Sequence, residues 1–164
     1  MEHYKQQLTE AYNQYSDAIF RYCYFKISDR EKALDLTAET FTRMWIFLKK
    51  GNEVENTKTF LYTIARNIVI DEYRKRKTLS LDNLMDQGME PSFGTEENIF
   101  DSFDIVRVLK LIELLPKNHS SIIIMRYIND LSIQEIAQVI NESENVVSVR
   151  IHRSICKLRK LVEA

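Results

Sequence analysis

LSIQEIAQVINESENVVSVRIHRSICKLRK, residues 131–160, reads as a short helix, a tight polar turn and a longer basic helix. Ser132 offers an N-cap, and Glu135, three residues on, its capping-box partner. Asn141 suits the left-handed position that ends the short helix. The long helix starts near Ser143 and continues to the C-terminus. At roughly 100° per residue, Val147, Ile151, Ser154, Ile155, Leu158 and Leu161 fall on one face and form the expected buried stripe. Asn145, Val149, His152, Arg153 and Cys156 fall opposite, with Val146, Arg150 and Lys157 on the flanks. A braced helix with such a face fits the DNA major groove. Arg reads guanine edges, Asn reads adenine and Val touches a thymine methyl, whereas Arg150, Lys157, Arg159 and Lys160 suit phosphate contacts. Charge alone is equally compatible with a solvated basic face on a helical bundle. The capped helix and short turn in front of it favour DNA.

Working outward, the chain is predicted to be all-α, with two small helical domains joined by a flexible acidic linker. Helices are expected at about Tyr4–Ile27, Arg30–Lys50, Thr57–Lys77, Ile105–Leu115 and Lys117–Ile128, ahead of the two already described. Ser28 and Glu31 suggest a capping box for the second helix, and Gly51 supplies its C-terminal stop. Residues 78–102 hold Gly88, Pro91 and Gly94 and only acidic charge, the composition of a linker. The expected domains are therefore 1–77 and 103–164, with 78–102 between them.

The 164 residues carry a formal charge of only -1, but the charge is segregated. Thr78–Val106 has seven acidic residues and no Lys or Arg, Lys58–Lys77 has six basic against two acidic, and Ser143–Lys160 has five against one. Such partition points to nucleic-acid partners at two places. Cys23 and Cys156 lie in no metal-ligand spacing, so reduced thiols are the default, with no metal and no cofactor expected. The N-terminus lacks the charged, apolar, small-residue order of a signal peptide. No apolar run approaches the roughly 18 residues of a membrane span. A cytoplasmic location is expected. No P-loop, metal cluster or nucleophile–base arrangement is visible, which argues against an enzyme.

The second basic helix, KTFLYTIARNIVIDEYRKRK at 58–77, places Phe60, Tyr62 and Tyr73 beside Arg66, Arg74, Lys75, Arg76 and Lys77. Aromatics among cations suit opened DNA, where rings stack on unpaired bases. Asn67 and Asp71, four apart, share a helix face and offer an amide and a carboxylate to a base edge. Equally, the rings belong to a core and the RKRK run complements the helix dipole.

With these segments in view, the chain resembles the extracytoplasmic-function (ECF) sigma factors of bacterial RNA polymerase. ALDLTAETFTRMW, 33–45, is similar to the family segment that docks on the clamp of the largest polymerase subunit. FLYTIARNIVIDEYRKRK, 60–77, is similar to the segment that opens and reads the minus-ten element, and 115–159 resembles the minus-35-reading helix-turn-helix. The resemblance implies that Asp35, Leu36, Glu39, Thr40 and Phe41 contact core polymerase. It implies a minus-ten site of Asn52, Lys58, Arg66, Asn67, Asp71, Tyr73, Arg74 and Arg76, in which the loop Gly51–Asn56 with Asn67 and Asp71 forms a pocket for a flipped base. It implies a minus-35 site of Asn145, Val146, Ser148, Val149, Arg150, Arg153 and Lys157. The implied partners are core RNA polymerase and promoter DNA, and for many members an anti-sigma protein, with the free chain a monomer. Ala38, Phe60, Val146, Ser148 and Val149 depart from residues frequent in the family. The alternative is a helix-turn-helix regulator that acts without polymerase, which predicts a dimer on a palindromic site.

Overall fold

The computed structural model describes residues 1–82 and 103–164. Among them the chain is helical: α1 Glu2–Ile27, α2 Arg30–Lys49, α3 Thr57–Asp82, α4 Phe103–Glu113, α5 Lys117–Ile123, a wider turn Ile124–Ile128, α6 Ile133–Ile140 and α7 Glu144–Glu163. The chain divides into two compact units, Met1–Gly94 and Thr95–Ala164.

In the first unit α1, α2 and α3 pack on one another. Ile19, Tyr22 and Cys23 of α1, Met44 and Leu48 of α2, and Leu61, Tyr62 and Val69 of α3 are almost wholly buried. Tyr22 and Tyr62 meet edge to face at 5.7 Å between ring centroids, the arrangement the ring quadrupoles favour. The expected Ser28–Glu31 capping box is not used. Ser28 is left-handed, with φ 58°, and its N–H closes α1 on the Tyr24 carbonyl. An N-cap needs extended backbone. That falls to Asp29, whose side chain accepts from the Lys32 N–H at 3.1 Å. Gly51, with φ 83°, stands just past α2 as expected. α3 runs to Asp82, five residues past the expected end. Thr78–Asp82 contains no Gly or Pro, so nothing local stops the helix there. The remainder of the expected linker, 83–102, lies outside the described residues.

In the second unit Pro116 is the N-cap of α5, just ahead of its first turn, where a missing N–H breaks no bond within the helix. The helix expected to continue to Ile128 widens after Ile123: the Asn129 N–H bonds the Ile124 carbonyl, five residues back, at 2.9 Å. Asp130 is left-handed and turns the chain into α6. The capping box at Ser132 is complete. Its hydroxyl accepts from the Glu135 N–H at 3.1 Å, and the Glu135 carboxylate accepts from the Ser132 N–H at 3.0 Å. Asn141, with φ 55°, ends α6. Ser143 caps α7 by accepting from the Val146 N–H. The core joins Ile112, Ile122, Met125, Leu131, Ile136, Val147 and Ile151.

Candidate nucleic-acid interface

The buried stripe of α7 is Val147, Ile151 and Ser154, with Ile155, Leu158 and Leu161 half-buried. Asn145, Val146, Ser148, Val149, Arg153 and Lys157 are exposed, while Arg150 is half-buried. Val146 and Val149 keep 36% and 41% of their surface in solvent. Apolar side chains left partly in solvent are available to base edges. His152 and Cys156 lie on the same exposed side, with Nε2 and Sγ 3.8 Å apart.

Ser154 is 0% exposed and is held by two bonds. Its hydroxyl donates to the Arg150 carbonyl at 2.7 Å. Its oxygen lies 2.7 Å from Nδ1 of His119, on α5. A serine has one proton to give, so His119 Nδ1–H is the donor to Ser154. Burial, and then the charges of Lys157, Arg150 and Arg153, hold the His119 pKa below its ordinary 6.5.

On α3, Asn67 and Asp71 are both exposed and one turn apart. Asp71 pairs loosely with Arg74 at 3.8 Å. Other residues of the expected minus-ten site are engaged within the protein. The Tyr73 hydroxyl donates to the Lys26 carbonyl. Arg76 donates to the Ile27 carbonyl at 3.3 Å and lies 3.5 Å from Glu72. Both side chains thus satisfy carbonyls that the end of α1 leaves open. The Asn52 amide donates to the Phe47 carbonyl at 3.1 Å at the end of α2. Lys58 and Arg66 are half-buried. The rings offered for stacking serve the interior: Tyr62 is in the core, and Phe60 packs on Phe47 at 4.7 Å.

Of the five residues expected to touch polymerase, Asp35 and Glu39 are exposed, whereas Leu36, Thr40 and Phe41 are buried. The Thr40 hydroxyl donates to the Leu36 carbonyl, and Tyr12 lies edge-on to Phe41 at 5.0 Å. Tyr12 itself is 53% exposed. With Leu8, Thr9, Phe41, Thr42 and Trp45 it lines an open groove of about 380 Å³. A partner on this face would meet Asp35 and Glu39 directly. It would meet Leu36 and Thr40 only through the packing they maintain, whereas Phe41 also forms part of the groove wall.

Two family descriptions account for most of the chain: Sigma-70 region 2 matches residues 11–78 and Sigma-70, region 4 matches residues 105–158. The ECF RNA polymerase sigma factor SigW of Bacillus subtilis is 30% identical over 156 residues, covering 89% of this chain and 83% of SigW. The chain belongs to the ECF RNA polymerase sigma factors. BldN of Streptomyces coelicolor, an ECF sigma factor, is 27% identical over 158 residues, which are 92% of this chain but 58% of BldN. This chain therefore spans less than two thirds of that relative. Among solved structures, RpoE in complex with the anti-sigma factor NepR from Bartonella quintana matches with a TM-score of 0.79 and 21% identity, covering 100% of this chain and 99% of that one. CnrH, solved with the cytosolic domain of CnrY, matches with a TM-score of 0.72 and 19% identity, covering 97% and 89%. These two likenesses establish the fold.

Within this ECF sigma factor, three residues around the site escaped sequence reasoning. Glu72 is buried between Lys32 at 3.3 Å and Arg76 at 3.5 Å, joining α2 to α3. The signal was available, because Leu61, Ala65, Ile68 and Glu72 follow the helical spacing of one inward stripe. Gln7, which donates to the Val54 carbonyl at 3.3 Å and ties the α2–α3 loop to α1, carries no such signal. Neither does His119, whose partner is 35 positions away. Of the two thiols, Cys23 is buried, which pushes its pKa up to about 12 despite the hydrogen bond with Thr37; Cys156 is exposed. Among the described residues no helix is long and apolar enough to cross a membrane.

Proposed function

We propose that the chain is a non-catalytic specificity subunit that binds core RNA polymerase, brings it to particular promoters and assists their melting. The observation that carries this reading is the pair of polar, cationic helix faces in two separately packed units. α7 presents Asn145, Val149 and Arg153, and α3 presents Asn67, Asp71 and Arg74. In this reading α7 enters duplex DNA at the minus-35 element, where Arg153, Asn145 and the two valines meet base edges while Arg150 and Lys157 grip phosphate. Asn67 and Asp71 of α3 take the edge of an unpaired minus-ten base. Extruding that base costs a few kcal/mol, which stacking and edge contacts of about 1–3 kcal/mol per base offset. Melting is thus driven by binding, without nucleotide hydrolysis.

The first unit would carry polymerase binding and minus-ten recognition, and the second minus-35 recognition. The acidic connection between them, with its seven negative charges across Thr78–Val106, suits a basic nucleic-acid channel. Asp35 and Glu39, exposed on α2, are the residues assigned to the polymerase clamp. The complexes of RpoE with NepR and CnrH with CnrY support an anti-sigma partner for this chain also.

The test combines purified core polymerase, this protein and a genomic template pool. Promoter-specific transcripts and a stable complex with core are expected. Absence of both overturns the reading. A dimer in size-exclusion chromatography, bound to a palindromic site without core, would favour an independent regulator.

A further inference from the structure

The buried stripe of α7 is apolar at Val147 and Ile151 and polar at Ser154. Apolar burial holds a helix against its neighbours but is non-directional, so it leaves some freedom to roll about the helix axis. Ser154 restricts that freedom. It is wholly buried, and its oxygen lies 2.7 Å from Nδ1 of His119, in the first turn of α5. Its proton is already given to the Arg150 carbonyl, one turn back on α7 itself, at 2.7 Å. With that proton committed, the ring nitrogen donates and the serine oxygen accepts, so the bond between the two helices has a fixed direction. It meets α7 next to Arg153, which is exposed on the other side of the helix. Small rolls matter there. An atom about 6 Å from a helix axis moves about 1.5 Å when the helix rolls by about 15°, and hydrogen bonds tolerate only a few tenths of an ångström.

We infer, resting on the DNA-binding reading above, that His119 is a positioning residue for sequence recognition: through Ser154 it fixes the roll of α7 and so aims Arg153 and Asn145 at base edges. His119 and Ser154 themselves touch no DNA. A planar guanidinium or an amide that makes paired bonds to a base edge depends on its angle of approach. Lys157, a compact charge on a flexible stem, follows a phosphate through the same roll. Loss of the bond therefore lowers discrimination between sequences and leaves sequence-independent affinity in place.

Competition binding with core polymerase reads the preference, between a promoter drawn from the template pool and the same duplex with its minus-35 element scrambled. Ser154→Ala removes the acceptor and introduces the better helix former; His119→Leu removes the donor. Each should lose about tenfold of the preference, roughly the worth of one base contact, while affinity for the scrambled duplex changes by less than about twofold. His119→Asn keeps a donor near the Nδ1 position and should retain the preference. Combining His119→Leu with Ser154→Ala replaces both partners by apolar groups, which offsets the loss of stability but restores no direction. Its melting midpoint should lie near that of the wild type while the preference stays low. Full preference in Ser154→Ala, a loss in His119→Asn as deep as in His119→Leu, or a preference that returns with the midpoint in the double variant would each overturn the inference alone. A wild-type protein that, with core polymerase, does not distinguish the two duplexes would overturn it together with the DNA-binding reading.

Discussion

Tyr73→Phe separates two roles for the same residue. As a minus-ten contact, Tyr73 would matter for promoter opening. In the structure its hydroxyl is committed to the Lys26 carbonyl, in the last turn of α1. The substitution removes that O–H and keeps the ring, including the approach of Lys26 Nζ at 5.9 Å from its centroid. A net intramolecular hydrogen bond contributes about 0.5–1.5 kcal/mol. The upper half of that range applies because the acceptor is an end-of-helix carbonyl in a partly buried setting. Arg76 still holds the next carbonyl, of Ile27, so α1 should fray without detaching. For a unit of this size 1 kcal/mol corresponds to about 4–8 °C in the melting midpoint. Thermal unfolding followed by circular dichroism in the full chain should show the first unit melting lower by that amount, with the second unchanged. Open-complex formation with core polymerase, measured below the lowered midpoint, should be unaffected. An unchanged midpoint together with lost promoter opening would refute this assignment and return Tyr73 to the DNA.

Four further outcomes are expected. Arg153→Ala should cost about 1–3 kcal/mol of discrimination between promoter sequences, whereas Lys157→Ala should weaken binding evenly and lower the salt slope by about one; competition binding on a sequence library distinguishes the two. Asn67→Ala combined with Asp71→Ala should impair open-complex formation more than duplex binding, and equal loss in permanganate footprinting and in gel shift would exclude a base pocket. Ser132→Ala should destabilise the second unit by about 1 kcal/mol through loss of the capping bond, visible in urea unfolding. The lowered His119 pKa means that the unfolded chain takes up this proton before the folded one does. The second unit should therefore lose stability as pH falls through 6.5 toward the folded value, with no effect at pH 8; melting midpoints that fall equally in His119→Asn would show that another group is responsible.

The amino-acid sequence by itself determined the helices, the division into two parts and the family. Apolar spacing marks the inward stripe of α7, Ser132 with Glu135 and Asn141 with its left-handed backbone bound α6, and segregated charge marks the two basic helices. These are short-range matters, legible because capping and helical periodicity act over a few residues. Tertiary structure alone decided which polar side chains are spent inside. Tyr73 and Arg76, which the resemblance places at the minus-ten site, also hydrogen-bond carbonyls at the end of α1, 47 and 49 positions away. Leu36, Thr40 and Phe41 share a segment with Asp35 and Glu39 but turn into the core. The end of α3 and the widened turn after Ile123 were likewise open in sequence, since no Gly or Pro marks either place. His119 shows the same limit from the other side: a histidine near a proline has no evident task until α5 and α7 pack and set its ring 2.7 Å from Ser154. Hydrogen-bond partners distant in sequence are fixed by packing, and local pattern carries no record of them.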